Sequence, residues 1–566
     1  MSRTFSVCAV VFLGAGIALA QDQPDLQVVN RIRTEEFKHS QVMEILENLT
    51  DRYGPRLTAS PEFLEAMGWA ENRLKEYGLE NVHREKWAFG RSWSLRQFSV
   101  EMVEPRYSSM TAAPLAWTSS TDGPVTGDAV LAPLGRGRMR LNLKANEEAI
   151  QKYEQQWKGK LRGKIVLVTS LTEPKPWTSA PFVRYDEKQL SEIGIAPEPV
   201  APVKVDPAHI DIPEDPQQAR AYMMNMPPAV LDELFDKVQD MRAKFSTFLK
   251  DEGVAGVIQA DARAHTGMVS AEAAGSYKSK YPLAPPTFVV TAEQYDRMVR
   301  LIENKVPVKV RVNLKEESSA GDIDSYNLVG EIPGGDKRDE VVMVGGHFDS
   351  WHSGTGATDN GAGSAAMMEA MRILKALNLK MDRTVRIALW SGEEQGLLGS
   401  QAYVKEHFGD PKTMKITAEQ AKLSGYFNLD NGTGKIRGVY LQGNDAMRPI
   451  FAAWLAPFHD LGVSQITIRN TGGTDHLSFD AVGLPGFQFI QDPMDYGSIT
   501  HHSDMDTYDH IQAGDMMQSA AVIASVVYDA ATRPAMLPRK ELPKPLPELP
   551  KTERESSGAG SRTSGN

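Results

Sequence analysis

Val341-Val342-Met343-Val344-Gly345-Gly346-His347-Phe348-Asp349-Ser350 is the stretch on which the reading of this chain turns. An apolar run leads through two glycines to an imidazole and a carboxylate. Residues 341–344 and 385–389 are near-continuous apolar runs, as expected of strands buried on both faces of a parallel or mixed sheet. Between them Met367, Ala370, Met371, Leu374 and Leu377 recur at helical spacing, so this region reads strand, helix, strand. Outward from it the pattern predicts strands at 426–429, 439–441, 466–468 and 486–490, and a closing helix over 513–528.

In open α/β sheets ligands gather beyond the carboxyl ends of the strands, so polar residues just after apolar runs come first. His347 follows one such run, Glu393 and Glu394 in Ser391-Gly392-Glu393-Glu394-Gln395-Gly396 follow another, and Asp430 follows a third. Asp359 lies in Thr358-Asp359-Asn360-Gly361, with Gly361 and Gly363 allowing close backbone approach to a metal. Each residue alone has a plainer use: a helix N-cap for Asp359, a dipole-favoured helix start for Glu393-Glu394, a turn for Asp430-Asn431-Gly432. Carboxylates buried together, however, require a cation. The joint placement is that of a hydrolytic site on two metal ions held by carboxylates and imidazoles.

The run from Gly345 to Gly399 resembles the two-zinc exopeptidases of the M28 family, especially the secreted plasma glutamate carboxypeptidase-like branch. The similarity covers about 321–531 and extends weakly to 41–103. It implies five ligands to two zinc ions per chain: Asp359 bridging, Glu394 and His502 completing one site, His347 and Asp430 the other. It implies Glu393 as general base and Asp349 as the carboxylate that fixes the His347 tautomer. His501 and His502 are adjacent, and the spacing to Asp506-Thr507 favours His502 as ligand. His501 then stands where relatives carry a carbonyl-polarising tyrosine, so His501 is the first choice for that role and Tyr496 the second. Asp475, in Gly472-Gly473-Thr474-Asp475-His476, resembles a residue of the substrate-lining loop; a plain turn is the alternative.

The remaining sequence frames this centre. At 566 residues the chain exceeds one core and predicts about two domains. Residues 1–20 read as a secretory signal peptide, with Arg3, an apolar run over 7–19 and a small-residue cleavage site before Gln21. The run is too short to span a membrane, so no membrane anchor is expected once it is removed, and the protein is expected to be secreted or periplasmic. Cys8, the only cysteine, lies in that segment, which excludes disulfides and cysteine-ligated zinc from the mature chain.

Residues 21–105 are expected to hold helices within 41–77 and a strand at 92–103, forming the first part of the catalytic domain. Short apolar runs across 106–320 predict an inserted β-rich domain, with an irregular excursion at 172–228 and a helix over 229–248. Residues 161–167 and 253–258 resemble a protease-associated domain. The catalytic domain resumes over 321–533, and 534–566 reads as a disordered tail.

The expected fold is α/β, a mixed, mostly parallel sheet flanked by helices with a β-rich insert. A formal charge of -11 gives no reason to expect nucleic acid as a partner. The expected partner is a small peptide with one free terminus, an aminopeptidase or dipeptidase substrate first and a carboxypeptidase substrate second; a homodimer stays open. Two other readings use the same scaffold: a non-catalytic receptor-like binding protein, which would lack ligands, and a single-zinc glutaminyl cyclase-like transferase.

Overall fold

The computed structural model describes residues 22–135, 143–172, 176–197, 228–261, 263 and 267–545. Residues 1–20, read above as a signal peptide, most of the distal excursion and the last part of the tail lie outside them. Two large mixed sheets are seen among the described residues. Their strands are β1 (Glu80–Gly90), β2 (Trp93–Glu104), β3 (Ser108–Ser109), β4 (Ala112–Pro114), β5 (Val125–Gly135), β6 (Ile165–Thr169), β7 (Gly256–Ala260), β8 (Thr287–Val290) and β9 (Lys309–Ser318), then β10 (Ile323–Ile332), β11 (Lys337–His347) and β12 (Arg383–Trp390). A small hairpin, β13 (Gly409–Asp410) and β14 (Lys415–Ile416), precedes β15 (Leu423–Asn428), β16 (Ile436–Tyr440), β17 (Gln465–Thr467) and β18 (Gly486–Gln491).

The host sheet runs β1-β10-β12-β11-β15-β18-β16-β17. Its centre, β12-β11-β15-β18, is parallel. These strands are buried on both faces, which is why they read as unbroken apolar runs rather than alternating ones. The expected α/β fold is what the chain adopts. The helix Ala362–Ala376 is buried from Ala362 to Leu374, and its small residues let it pack beneath the sheet against the closing helix Ala513–Thr532.

The second sheet has the order β3-β2-β9-β5-β6-β7-β8-β4. Its half β5-β6-β7-β8 is parallel and carries the helices Leu143–Trp157, Pro228–Asp251 and Ala292–Glu303, so the insert is itself α/β rather than purely β. The boundary also differs from the expected 105/106. β2 pairs along its length with β9, whereas β1 pairs with β10, so the chain leaves the host sheet between Gly90 and Trp93 and returns between Ser318 and Ile323. The strand at 92–103 was legible, but alternation cannot say which sheet a strand joins.

Residues 176–197 of the excursion are among those described. Asp186 caps the helix Glu187–Gly194 with a reciprocal capping box, and Val183 exchanges both backbone hydrogen bonds with Met494 of the host domain. The tail departs from expectation too. Leu537 is buried against the core, its amide donates to Ser424 Oγ, and Lys540 pairs with Asp480 at 2.5 Å, so the chain is docked as far as Lys540. Proline-rich composition hid one apolar anchor and one cation.

Away from the sheet ends, Glu36 is fully buried on the helix Leu26–His39 beside Glu369. Burial, then the Glu369 charge, pushes its carboxyl from 4.5 up to about 9. The folded chain therefore keeps a proton that the unfolded chain releases above its ordinary value. This contribution is most favourable below about pH 4.5 and is lost as pH climbs towards 9. Glu36→Gln is expected to raise Tm at pH 8 and leave it unchanged at pH 4; equal shifts at both pH values in a thermal melt would remove the account.

Candidate metal centre

The carboxyl ends of β11, β12 and β15 lie side by side, with His347 opposite Trp390 and Gly345 opposite Asn428. His347 therefore ends its strand beside the turn carrying Glu393 and Glu394 on one side and Asp430 on the other. Asp359 enters from the start of the helix Ala362–Ala376. His347 Nε2 lies 3.2 Å from Asp359 Oδ1, 3.3 Å from Asp430 Oδ1 and 3.9 Å from Glu393 Oε2. Asp359 Oδ2 lies 3.2 Å from His502 Nε2, which lies 3.0 Å from Glu394 Oε2. The two donor groups share Asp359, one oxygen facing each.

The donor atoms themselves fit a cation. His347 Nε2, Asp359 Oδ2, Glu394 Oε1 and Asp430 Oδ1 are buried and make no hydrogen bond among the described residues. Buried polar atoms left in this state are costly unless an ion takes them. Charge says the same. Burial, then the Asp359 charge, raises Glu394 to about 8, and burial with the fields of Asp430, Asp475 and Glu394 drives Glu393 well up, against the opposing pull of His347. His347 and His502 are pushed up by these carboxylates against burial. The cluster is short of positive charge, and imidazole-carboxylate donors suit zinc.

Asp349 acts differently from the expectation. His347 Nδ1 meets the Asp349 backbone carbonyl at 3.0 Å, while the Asp349 carboxylate stands 3.7 Å off. That carboxylate instead accepts from Thr58 Oγ1 at 2.8 Å and from the amides of Glu393 and Glu394 at 3.3 Å. Asp349 thus fixes the imidazole through its carbonyl and the glutamate pair through its side chain. Gly361 and Gly363 also serve another purpose. A Cβ at Gly363 would lie 2.2 Å from Leu429 O, and one at Gly361 2.7 Å from Gly356 O, so both glycines admit backbone rather than a metal.

His502 and His501 separate on geometry. His501 Nε2 reaches only Asp359, at 3.7 Å, and its ring stacks on His502 at 3.8 Å between centroids. His502 reaches both Asp359 and Glu394 and is the better-placed ligand. Tyr496 packs against the Asp430-Asn431-Gly432 turn, where a Cβ on Gly432 would lie 2.8 Å from Tyr496 Cβ. Burial and the charges of Asp359, Asp430, Glu394 and Glu393 hold its phenol well above 10. Asp475 is fully buried, and its charge acts on Glu393.

Four supports escaped the sequence. Arg56, fully buried, donates to the carbonyls of Leu49, Phe348, Thr355 and Gly356. Thr58 joins Asp349 to the Gly392 amide. Asp506 accepts from the Thr358 amide at 2.5 Å, beside Asp359. Glu272 Oε1, from the insert, lies 2.7 Å from His502 Nδ1. Only Asp506 carried a local signal, the Asp-Thr pair used to place His502.

Residues 327–527 match Peptidase family M28. Carboxypeptidase Q of Mus musculus is 28% identical over 493 residues, 87% of this chain and 86% of that protein. Aminopeptidase YwaD of Bacillus subtilis is 27% identical over 216 residues, 37% of this chain and 45% of that protein. Among solved structures, a peptidase M28 precursor from Shewanella amazonensis aligns with TM-score 0.63 at 24% identity, over 92% of this chain and 98% of its own. BSAP, a zinc aminopeptidase from Bacillus subtilis, aligns with TM-score 0.52 at 17% identity, over 88% and 95%. These two likenesses establish the fold.

Proposed function

With residues 327–527 as its catalytic domain, the chain is a metallopeptidase of family M28, and from that premise we propose a two-zinc exopeptidase that removes a terminal residue from small peptides. The observation that carries this reading is the pair of donor groups sharing Asp359, with Glu393 beside them at 3.9 Å from His347 Nε2. His347, Asp359 and Asp430 would hold one ion, and Asp359, Glu394 and His502 the other. Zinc bound there supplies a Lewis acid that makes water more acidic at neutral pH.

Glu393 then takes a proton from the attacking water at its carboxylate and delivers it to the leaving amine. Its burial keeps that carboxylate basic. Tyr496, kept protonated, is the better-supported donor to the developing carbonyl oxygen, ahead of His501. Tyr496→Phe is expected to lower kcat about 100-fold with KM little changed. Comparison with His501→Ala by steady-state kinetics decides between them, and a larger loss in the His501 variant would restore that residue.

Dipeptides blocked at either end test the reaction itself. Activity is expected to vanish when the amine is blocked and to survive carboxyl blockage; the reverse would make the enzyme a carboxypeptidase. Elemental analysis giving one zinc per chain, with cyclisation of amino-terminal glutamine, would favour a cyclase. Export follows from the reading of residues 1–20, and among the described residues no helix is long and apolar enough to cross a membrane. The insert is proposed to be a protease-associated domain beside the site.

A further inference from the structure

The two candidate metal groups are supported from different places. His347 is held by its own strand and the Asp349 carbonyl, within the host domain. His502 is held across a domain boundary. Its Nδ1 lies 2.7 Å from Glu272 Oε1, and the chain on either side follows the same alignment: Ala271 N donates to His502 O, Asp504 N donates to Val269 O, and Ser270 bridges Ser503. The Val269 amide in turn donates to Asp504 Oδ1 at 3.1 Å.

The opposite flank of the same loop is also clamped by the insert. Val183 and Met494 exchange backbone hydrogen bonds, Ser498 Oγ donates to Pro181 O at 2.6 Å, and Arg184 pairs with Asp515 at 2.7 Å. The segment from Asp492 to Asp506, which carries Tyr496, His501 and His502, is thus gripped between two segments of the insert. Within it His502 has φ 57°, a left-handed conformation disfavoured for a non-glycine residue. A ring in that backbone state needs outside contacts to hold its direction. Trp351 meets it edge-on at 6.1 Å between centroids, and among the described residues Glu272 is the one carboxylate on its Nδ1.

We propose that Glu272 is a positioning residue for the metal-ligating His502, so that the inserted domain completes one of the two zinc sites. The acceptor on Nδ1 fixes the proton there and leaves the Nε2 lone pair facing Asp359 and Glu394, and its negative charge makes the imidazole a stronger donor. One site is then intrinsic to the host domain, and the other exists only when the insert is docked. This rests on the two-zinc reading.

Chelator-competition titration of the purified full chain with zinc tests it, with Tm and kcat measured in parallel. Wild type is expected to bind two ions. Glu272→Ala is expected to weaken one of them about 10- to 100-fold and leave the other unchanged, and at saturating zinc to lower kcat more than it raises KM. Glu272→Gln, which keeps an acceptor without the charge, is expected to fall between the two. Asp504→Asn loosens the same patch without touching a ligand ring and is expected to lower Tm while sparing both affinities.

Two unchanged affinities in Glu272→Ala, or two equally weakened ones, would overturn the proposal while leaving the two-zinc reading standing. If Glu272→Ala does not fold, unchanged affinities in Glu272→Gln would overturn it equally. A wild type that binds no second ion overturns the two-zinc reading first and this proposal with it, and that result is visible without any variant.

Discussion

Glu393→Gln is expected to lower kcat about 1,000-fold while both zinc ions stay bound. The amide has the size of the carboxylate and cannot accept a proton from water. Glu393 belongs to neither donor group, since its closest approach to His347 Nε2 is 3.9 Å, against 3.2 and 3.3 Å for Asp359 and Asp430. Glu394→Gln, one residue on, should instead weaken zinc binding, because Glu394 Oε2 lies 3.0 Å from His502 Nε2 and its Oε1 is an unsatisfied buried acceptor.

Stability should move the other way from activity. Glu393 is a nearly buried acid that burial, with Asp430, Asp475 and Glu394, drives well up against the pull of His347, so an amide there avoids the cost of holding its proton at neutral pH and Tm should rise in the zinc-free protein. Steady-state kinetics, zinc content and a thermal melt on one preparation check all three statements. Retained hydrolysis would end the assignment of Glu393 as base, and zinc loss would make it a ligand. A receptor-like protein would show neither turnover in wild type nor a change in the variant.

Three of the five candidate ligands were legible because each follows a strand that is apolar on both faces, and parallel order brings strand ends together without further information. His347, Glu394 and Asp430 follow that logic residue by residue. What surrounds them was not legible, because it is made by contacts between distant segments. Arg56 reads locally as part of the Gly54-Pro55 turn, yet its partners Phe348, Thr355 and Gly356 lie almost 300 positions away. Glu272 sits among alanines in a stretch with no chemical signature. β2 shows the same limit for the fold: alternation predicted a strand, and only the register with β9 assigned it to the insert.

Arg56→Ala should be the most damaging single change outside the ligand set. The guanidinium is fully buried, and burial lowers its pKa to about 10, with the charges of Asp506, Asp349, Asp359 and Glu394 pulling the other way; it stays charged at neutral pH. Its Nε, Nη1 and Nη2 serve four carbonyls, those of Phe348, Thr355 and Gly356 from the loops that carry Asp349 and Asp359 and that of Leu49 from the helical turn Asn48–Arg52. Alanine removes the donors and leaves the carbonyls. Gly356 O keeps the Gly361 amide at 2.9 Å, whereas the other three face a cavity, each at roughly 1–3 kcal/mol. The nearby carboxylates also lose a compensating cation. A loss of about 3–5 kcal/mol is expected, a large part of the 5–15 kcal/mol that typically holds a domain. Lysine should rescue little, because one ammonium cannot reproduce the planar fork that reaches carbonyls on both sides. Because the same loops position Asp359 between the two donor groups, both zinc affinities should fall together, unlike the single affinity lost in Glu272→Ala. Urea unfolding and zinc titration separate these outcomes; a destabilisation under about 1 kcal/mol, or one ion bound as in wild type, would show that the loops hold their form without Arg56.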